Sequence, residues 1–271
     1  MVSAKNKRSL HREFSGYVNV CAAVCLLLLV CGLSPRSSAA PHRRRASMDR
    51  ERRDADGENS LWANPCDYND SQSKPVIPQT HAREVAMKLV VQAKSTYSKT
   101  AKYKEEFALK LHSYPSFDAL LTSWRNQEFL KAYSWLPEEG LPKEKVLNET
   151  MSDEYMTELM PKIDEVLPGM YKGLKMIVAG LYAFTTEELN AGLISDEPLR
   201  DNLTRTMHDS RAVLCYFNDI MNIRNLKILK LSDSEIPTDF GNNMGVLLYR
   251  DTMNFLQYLE QVFRKLYDMD S

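Results

Sequence analysis

The sequence predicts an all-α fold: an up-up-down-down four-helix bundle with two long crossover loops. Three observations carry that expectation. Four long segments repeat their apolar residues at steps of three and four, two connections between them are long, and the middle one is short. A short link makes consecutive helices antiparallel neighbours, whereas a long connection lets the chain cross the molecule and start the next helix in the same direction. About 218 residues follow Arg53, enough for one domain with a sizeable core, and no internal repeat is visible.

The first helix is predicted from Thr80 to Leu111, with Pro78 before it and Thr80 as its N-cap. Val85, Leu89, Gln92, Thr96 and Lys99 mix with Ala82, Ala86, Ala93 and Tyr97, and Tyr103, Phe107 and Leu111 restore the helical spacing. From His112 to Glu149 the chain holds Pro115, Pro137 and Pro142 among Phe117, Leu120, Trp124, Phe129 and Trp135. That stretch is too long for a hairpin and too aromatic to be disordered. It reads as a crossing connection with one short helix near Ser116 to Tyr133.

The second helix runs from Ser152 or Met160 to Phe184, and Ile163, Val166, Leu167, Met170, Leu174, Ile177, Val178 and Leu181 give it the strongest stripe in the chain. Pro161 suits a first turn, whereas Pro168 removes an interior donor and is expected to kink the helix. After the short link Thr185 to Ser195, a third helix opens near Asp196 and Pro198, with Leu199, Leu203, Met207, Leu214, Phe217, Ile220 and Met221 along one side. Asn222 to Asn242, with Pro237 and Gly241, form the second long passage. The last helix, Asn243 to Tyr267, carries Leu247, Leu248, Phe255, Leu259, Val262, Phe263 and Leu266.

Residues 1–40 read as a signal peptide: Lys5, Lys7, Arg8 and Arg12 flank an uncharged run from Tyr17 to Leu33, and Pro35 with Ser37, Ser38, Ala39 and Ala40 supplies the exit. The competing reading is an uncleaved signal anchor, since 17 apolar residues are at the short end of a membrane span. Residues 41–79 form a basic, propeptide-like arm and an N-terminal strap, and residues 80–271 the helical domain. In the arm, Arg50, Arg52 and Arg53 make an Arg-x-Arg-Arg string that resembles the site cut by furin-type convertases. A solvated arm that touches anionic polysaccharide or membrane is the alternative.

Residues 1–53 hold 11 of the 35 Lys and Arg and 3 of the 36 Asp and Glu, so the near-neutral total hides an acidic domain. Such a domain is a poor partner for nucleic acid, which demands a basic footprint. Three sequons, at Asn69, Asn148 and Asn202, agree with the secretory pathway and predict that those positions face solvent. Cys21, Cys25 and Cys31 lie in the apolar run, so its removal leaves Cys66 and Cys215, enough for one bridge. Cys215 sits one step past Leu214 on the third helix, within reach of a strap crossing the surface.

A pre-helical cysteine, four long helices and a cysteine inside the third, in Ala212-Val213-Leu214-Cys215-Tyr216-Phe217, resemble the interleukin-6 family of long-chain helical cytokines. Its leukaemia inhibitory factor and oncostatin M branch ties the N-terminal segment to the third helix in this way. Arthropod unpaired-type ligands share the design, although their basic character is not matched. The resemblance covers Cys66 to Tyr267 and implies a secreted ligand, not an enzyme, that bridges transmembrane cytokine receptor ectodomains and activates Janus-kinase and STAT signalling. That branch also presents a phenylalanine followed three residues later by a lysine at the entry to the last helix, where it contacts receptor. Here Phe240 fits and Asn243 replaces the lysine. The alternative for Phe240 is that it packs the loop onto the bundle.

Catalytic and metal chemistry find no pattern. His81, His112 and His208 form no metal-ligand pair, and no P-loop, G-x-S-x-G or dinucleotide fingerprint occurs, so no cofactor and no metal are expected. His208-Asp209 is similar to the pair of secreted phospholipases but lacks their disulfides and glycine-rich calcium loop. Glu105-Glu106 and Glu187-Glu188 read as solvated helix faces. A secreted, apolipoprotein-like lipid carrier is the second functional expectation, because 13 Met and 13 Tyr could line an adaptable apolar face.

Overall fold

A computed structural model describes residues 60–68, 78, 81–125, 135–186, 194–236 and 242–269. Among them every regular element is helical: α1 Ala82–Ala101, α2 Lys104–His112, α3 Phe117–Arg125, α4 Asp153–Leu159, a 3-10 turn Met160–Lys162, α5 Ile163–Thr185, α6 Glu197–Ile223, a 3-10 turn Asp233–Glu235 and α7 Asn242–Met269. The all-α expectation holds for these residues.

The first predicted helix is two helices. The Thr96 and Thr100 hydroxyls turn back onto the carbonyls of Gln92 (2.9 Å) and Thr96 (2.8 Å), a pattern that bends helices. The amides of Lys102 and Tyr103 then donate three residues back, to Lys99 and Thr100 (both 3.2 Å), which tightens the chain out of the α ladder. The Tyr249 phenol also donates to the Thr100 carbonyl. The bend lets α2 bury Phe107, which stacks on Tyr249 with ring centroids 4.2 Å apart and meets Phe117 edge-on. At the other end His81 precedes α1 without a side-chain cap, and Thr80 lies outside the described residues.

The second predicted helix is also divided, by a 3-10 turn at Met160–Lys162. Ser152 caps α4 by accepting from the Tyr155 amide (3.2 Å), the 3-10 turn holds Pro161, and α5 then continues through Pro168 as one element. Pro161 thus sits at the break, and the bond Pro168 forgoes is lost in the second turn of a helix held by burial along its length. Asp196 caps α6, accepting from the Leu199 amide (3.0 Å), with Pro198 in the first turn as anticipated.

Pairwise contacts fix how the long helices run. Arg83 at the start of α1 lies 4.4 Å above the Tyr267 ring at the end of α7, while Tyr249 meets Thr100 at the opposite ends, so α1 and α7 are antiparallel. Thr100 and Thr206 share a 3.2 Å hydroxyl contact and Lys88 lies in the field of Asp219, so α1 and α6 are antiparallel too. Arg224 pairs with Asp164 and Phe217 packs edge-on against Tyr171 (5.3 Å), which orients α5 against α6. The pairs Gly173 with Phe255 and Phe184 with Gly245 orient α5 against α7. Phe217 and Phe263 meet at 4.9 Å and carry the core between α6 and α7.

Burial is uneven among these helices. From Met170 to Phe184 only Lys172 and Tyr182 escape full burial, and from Gly245 to Leu256 only Arg250 does. Connecting segments cover what other helices leave open. The 135–141 stretch lies so close on α5 that a Cβ on Gly169 would stand 2.8 Å from the Glu139 carbonyl oxygen, and one on Gly140 would stand 3.3 Å from the Gly173 Cα. At Gly169 only glycine permits that approach, whereas a side chain at Gly140 would require its neighbours to shift.

Candidate functional site

Two constellations bind the connecting chain to the helices. The first is the N-terminal strap. Cys66 and Cys215, 149 positions apart in sequence, are joined by a disulfide with Cα atoms 5.0 Å apart. Arg211 pairs with Asp67 and donates to the Asn64 carbonyl (3.3 Å). Tyr68 donates its phenol proton to Asp219 (3.3 Å), and Trp62 tilts against Tyr182 of α5 (5.9 Å). Burial raises the Asp219 carboxyl, partly offset by the Tyr68 hydrogen bond. Arg211, Cys215 and Asp219, spaced four residues apart along α6, thus form a docking row for residues 64–68.

The second is a polar ladder on α7 that sequence reading missed. The Lys145 ammonium donates to the Val146 carbonyl (2.7 Å), Asn254 Oδ1 (3.0 Å) and Gln257 Oε1 (3.4 Å), which satisfies its three protons. Asn254 returns a bond to the Lys145 carbonyl (2.7 Å). The amides of Asn148 and Met151 donate to Gln257 and Gln261 (both 2.9 Å), and Tyr155 meets Tyr258 (3.1 Å, hydroxyl to hydroxyl). Asn254, Gln257 and Gln261 recur at steps of three and four beside the apolar stripe, the one signal that could have exposed the ladder beforehand.

Burial pushes the amines of Lys145 and Lys175 down to about 8; Lys175 reaches the Leu229 carbonyl (3.1 Å). Both amines therefore lose their protons earlier in the folded chain than in the unfolded one, whose ordinary value is 10.5. Below pH 8 both states are protonated and the full cost of burying charge applies. Between the two values the unfolded state holds more protons, so stability rises with pH. Burial holds the phenols of Tyr171, Tyr249 and Tyr258 above their ordinary 10.0, so further alkalinity deprotonates the unfolded chain first and stability falls. Urea midpoints measured across this range are expected to rise from pH 8 and to turn over where the phenols of the unfolded chain begin to lose their protons, at their ordinary 10.0. A midpoint that does not rise through pH 8 would mean that both amines keep their water.

The remaining sequence-predicted residues are placed as follows. Asn148 is exposed, in a left-handed turn (φ 68°), and Asn202 is half-buried in the second turn of α6. Asn69, Phe240, Arg50, Arg52, Arg53 and the signal peptide lie outside the described residues; Asn243 is in the first turn of α7, its side chain undescribed. Glu105 is more than a solvated residue, since it accepts from the Phe117 amide (2.7 Å) and so caps α3, while Glu106 pairs with Lys110. Asp209 pairs with Lys99 (2.9 Å) and His208 is exposed on α6. His112 is half-buried against Phe107, and desolvation holds its imidazole below the usual value. No group of His, Cys, Asp and Glu among the described residues could hold a metal ion, and no helix among them is long and apolar enough to cross a membrane.

Comparison with known protein families, curated proteins and solved structures finds no match. Function must therefore be argued from the residues alone.

Proposed function

We propose that the protein is a secreted helical cytokine or growth-factor-like ligand, an up-up-down-down four-helix bundle that bridges cell-surface receptors and thereby activates Janus-kinase and STAT signalling. The observation that carries this reading is the circuit of antiparallel contacts: α1 with α6 and α7, and α5 with the same two. That circuit makes α1 parallel to α5 and α6 parallel to α7, the arrangement that two crossover connections demand. The Cys66–Cys215 bridge adds the strap-to-third-helix tie on which the resemblance rests.

Burial suggests which surface a receptor would use. Where α5 is buried from Met170 to Phe184 and α7 from Gly245 to Leu256, α1 still presents Lys88, Val91, Lys94 and Ser98 to solvent, and α6 presents Asp201, Arg205 and His208. Val91 is 61% exposed, an apolar centre with charged neighbours, the composition of an interface core and rim. A lipid carrier gains less support, because its apolar faces must open, and here the strap and the α7 ladder hold the covering segments shut.

The test is STAT phosphorylation in cells that carry cytokine receptors of the source organism, with the secreted protein as the only stimulus. Val91→Glu is expected to leave the melting temperature unchanged and to weaken receptor affinity about tenfold or more. A variant that signals at full strength would place the contact on another face. Absence of binding to every such receptor ectodomain would remove the proposal.

A further inference from the structure

Asn148 occupies a position that neither the helical core nor the receptor reading explains. It is exposed, ends the turn that follows Lys145, and adopts the left-handed backbone that asparagine tolerates better than most residues. Its Oδ1 accepts from the Tyr97 phenol of α1 (2.8 Å) and from Gln257 Nε2 of α7 (3.4 Å), so the side chain stands across the seam between those two helices. Glu149 and Thr150 beside it are also exposed. Asn202 differs, being half-buried within α6, where the Thr204 hydroxyl of its sequon is turned back onto the Arg200 carbonyl (2.9 Å).

We propose that Asn148 carries an N-linked glycan that covers the α1–α7 seam, leaving the α1–α6 side as the open flank of the molecule. This rests on the reading that the chain enters the secretory pathway. The chemistry fits the geometry. Nδ2 displaces the diphosphate of a lipid-linked oligosaccharide at the sugar anomeric carbon: the C–N bond forms, the C–O bond to phosphate breaks, the diphosphate leaves, and Nδ2 gives up one proton to a base. Oδ1 takes no part, so both hydrogen bonds that aim the side chain survive the modification. A bulky, solvated oligosaccharide at this point would project over Tyr97 and Gln257.

Deglycosylation in heavy-oxygen water converts each formerly occupied Asn to a labelled Asp, and peptide mapping of the full chain from a eukaryotic cell then reads the sites separately, in the medium and in the cell fraction. The expected result is a label on Asn148, lost in Thr150→Ala, a change that spares the Asn148 contacts. Oxidative footprinting of Tyr97 is expected to rise in that variant and in the enzymatically deglycosylated protein. A glycan on Asn69 or Asn202 with Asn148 bare overturns the proposal alone. A labelled Asn148 in a chain retained by the cell supports the site and overturns the secreted-ligand reading. No label on any sequon overturns both, and unchanged Tyr97 footprinting overturns the covering of the seam.

Discussion

Replacing Cys215 with serine is expected to give the largest loss of stability of any single change to the strap. The bridge closes a loop whose ends are 149 positions apart, and chain entropy alone assigns such a closure about 5 kcal/mol, a ceiling that denatured-state structure and native strain reduce. What remains after the substitution is one ion pair of Arg211 with an exposed Asp67, the Tyr68 bond to Asp219 and the Trp62 contact, all near the surface and individually small. Denaturant titration beside a thiol assay checks the outcome: the midpoint falls and Cys66 becomes reactive. A Cys66 that stays unreactive, with an unchanged midpoint, would show that the bridge is absent from the native protein.

Phe217→Ala is expected to cost about 3–5 kcal/mol. The ring is fully buried and is held edge-on by Tyr171 from α5 (5.3 Å) and by Phe263 from α7 (4.9 Å), so its removal opens a cavity between three helices at once. Neighbouring rings cannot collapse into that space without giving up their own contacts. Phe217→Leu should recover part of the loss. If alanine costs no more than leucine, measured by denaturant midpoints, the surrounding helices repack freely and the close-packed centre described above is wrong.

The helical stripes were legible in the sequence because their apolar residues face one core: Ile163, Leu167, Met170, Leu174, Ile177 and Leu181 are all buried, as are Leu199, Leu203, Met207, Leu214 and Phe217. The break after Ala101 was not legible, since its causes lie 149 residues away in Tyr249 and in hydroxyl rotamers that periodicity does not encode. The role of Gly169 and Gly173 escaped notice for a similar reason: a glycine in a helix reads as a weak point until the backbone it admits, Glu139 and Gly140, is in view. Of the polar residues, Lys145 looked like one more charge in a loop. Its acceptors Asn254 and Gln257 lie more than a hundred positions along the chain, beyond any local pattern.

The enclosure of the first half of α7, from Gly245 to Leu256, has a consequence for how the protein comes into being. This helix is synthesised after the other described helices, so α1 and α5 must wait with their apolar faces exposed until it arrives. Among the long helices, only α5 and α6 can pair across a short link beforehand. The other contacts between long helices close over a long separation, which slows folding and lengthens the interval in which the nascent chain can aggregate. Chains that terminate before Phe255 should therefore be caught by cellular quality control rather than released as shorter, partly active forms.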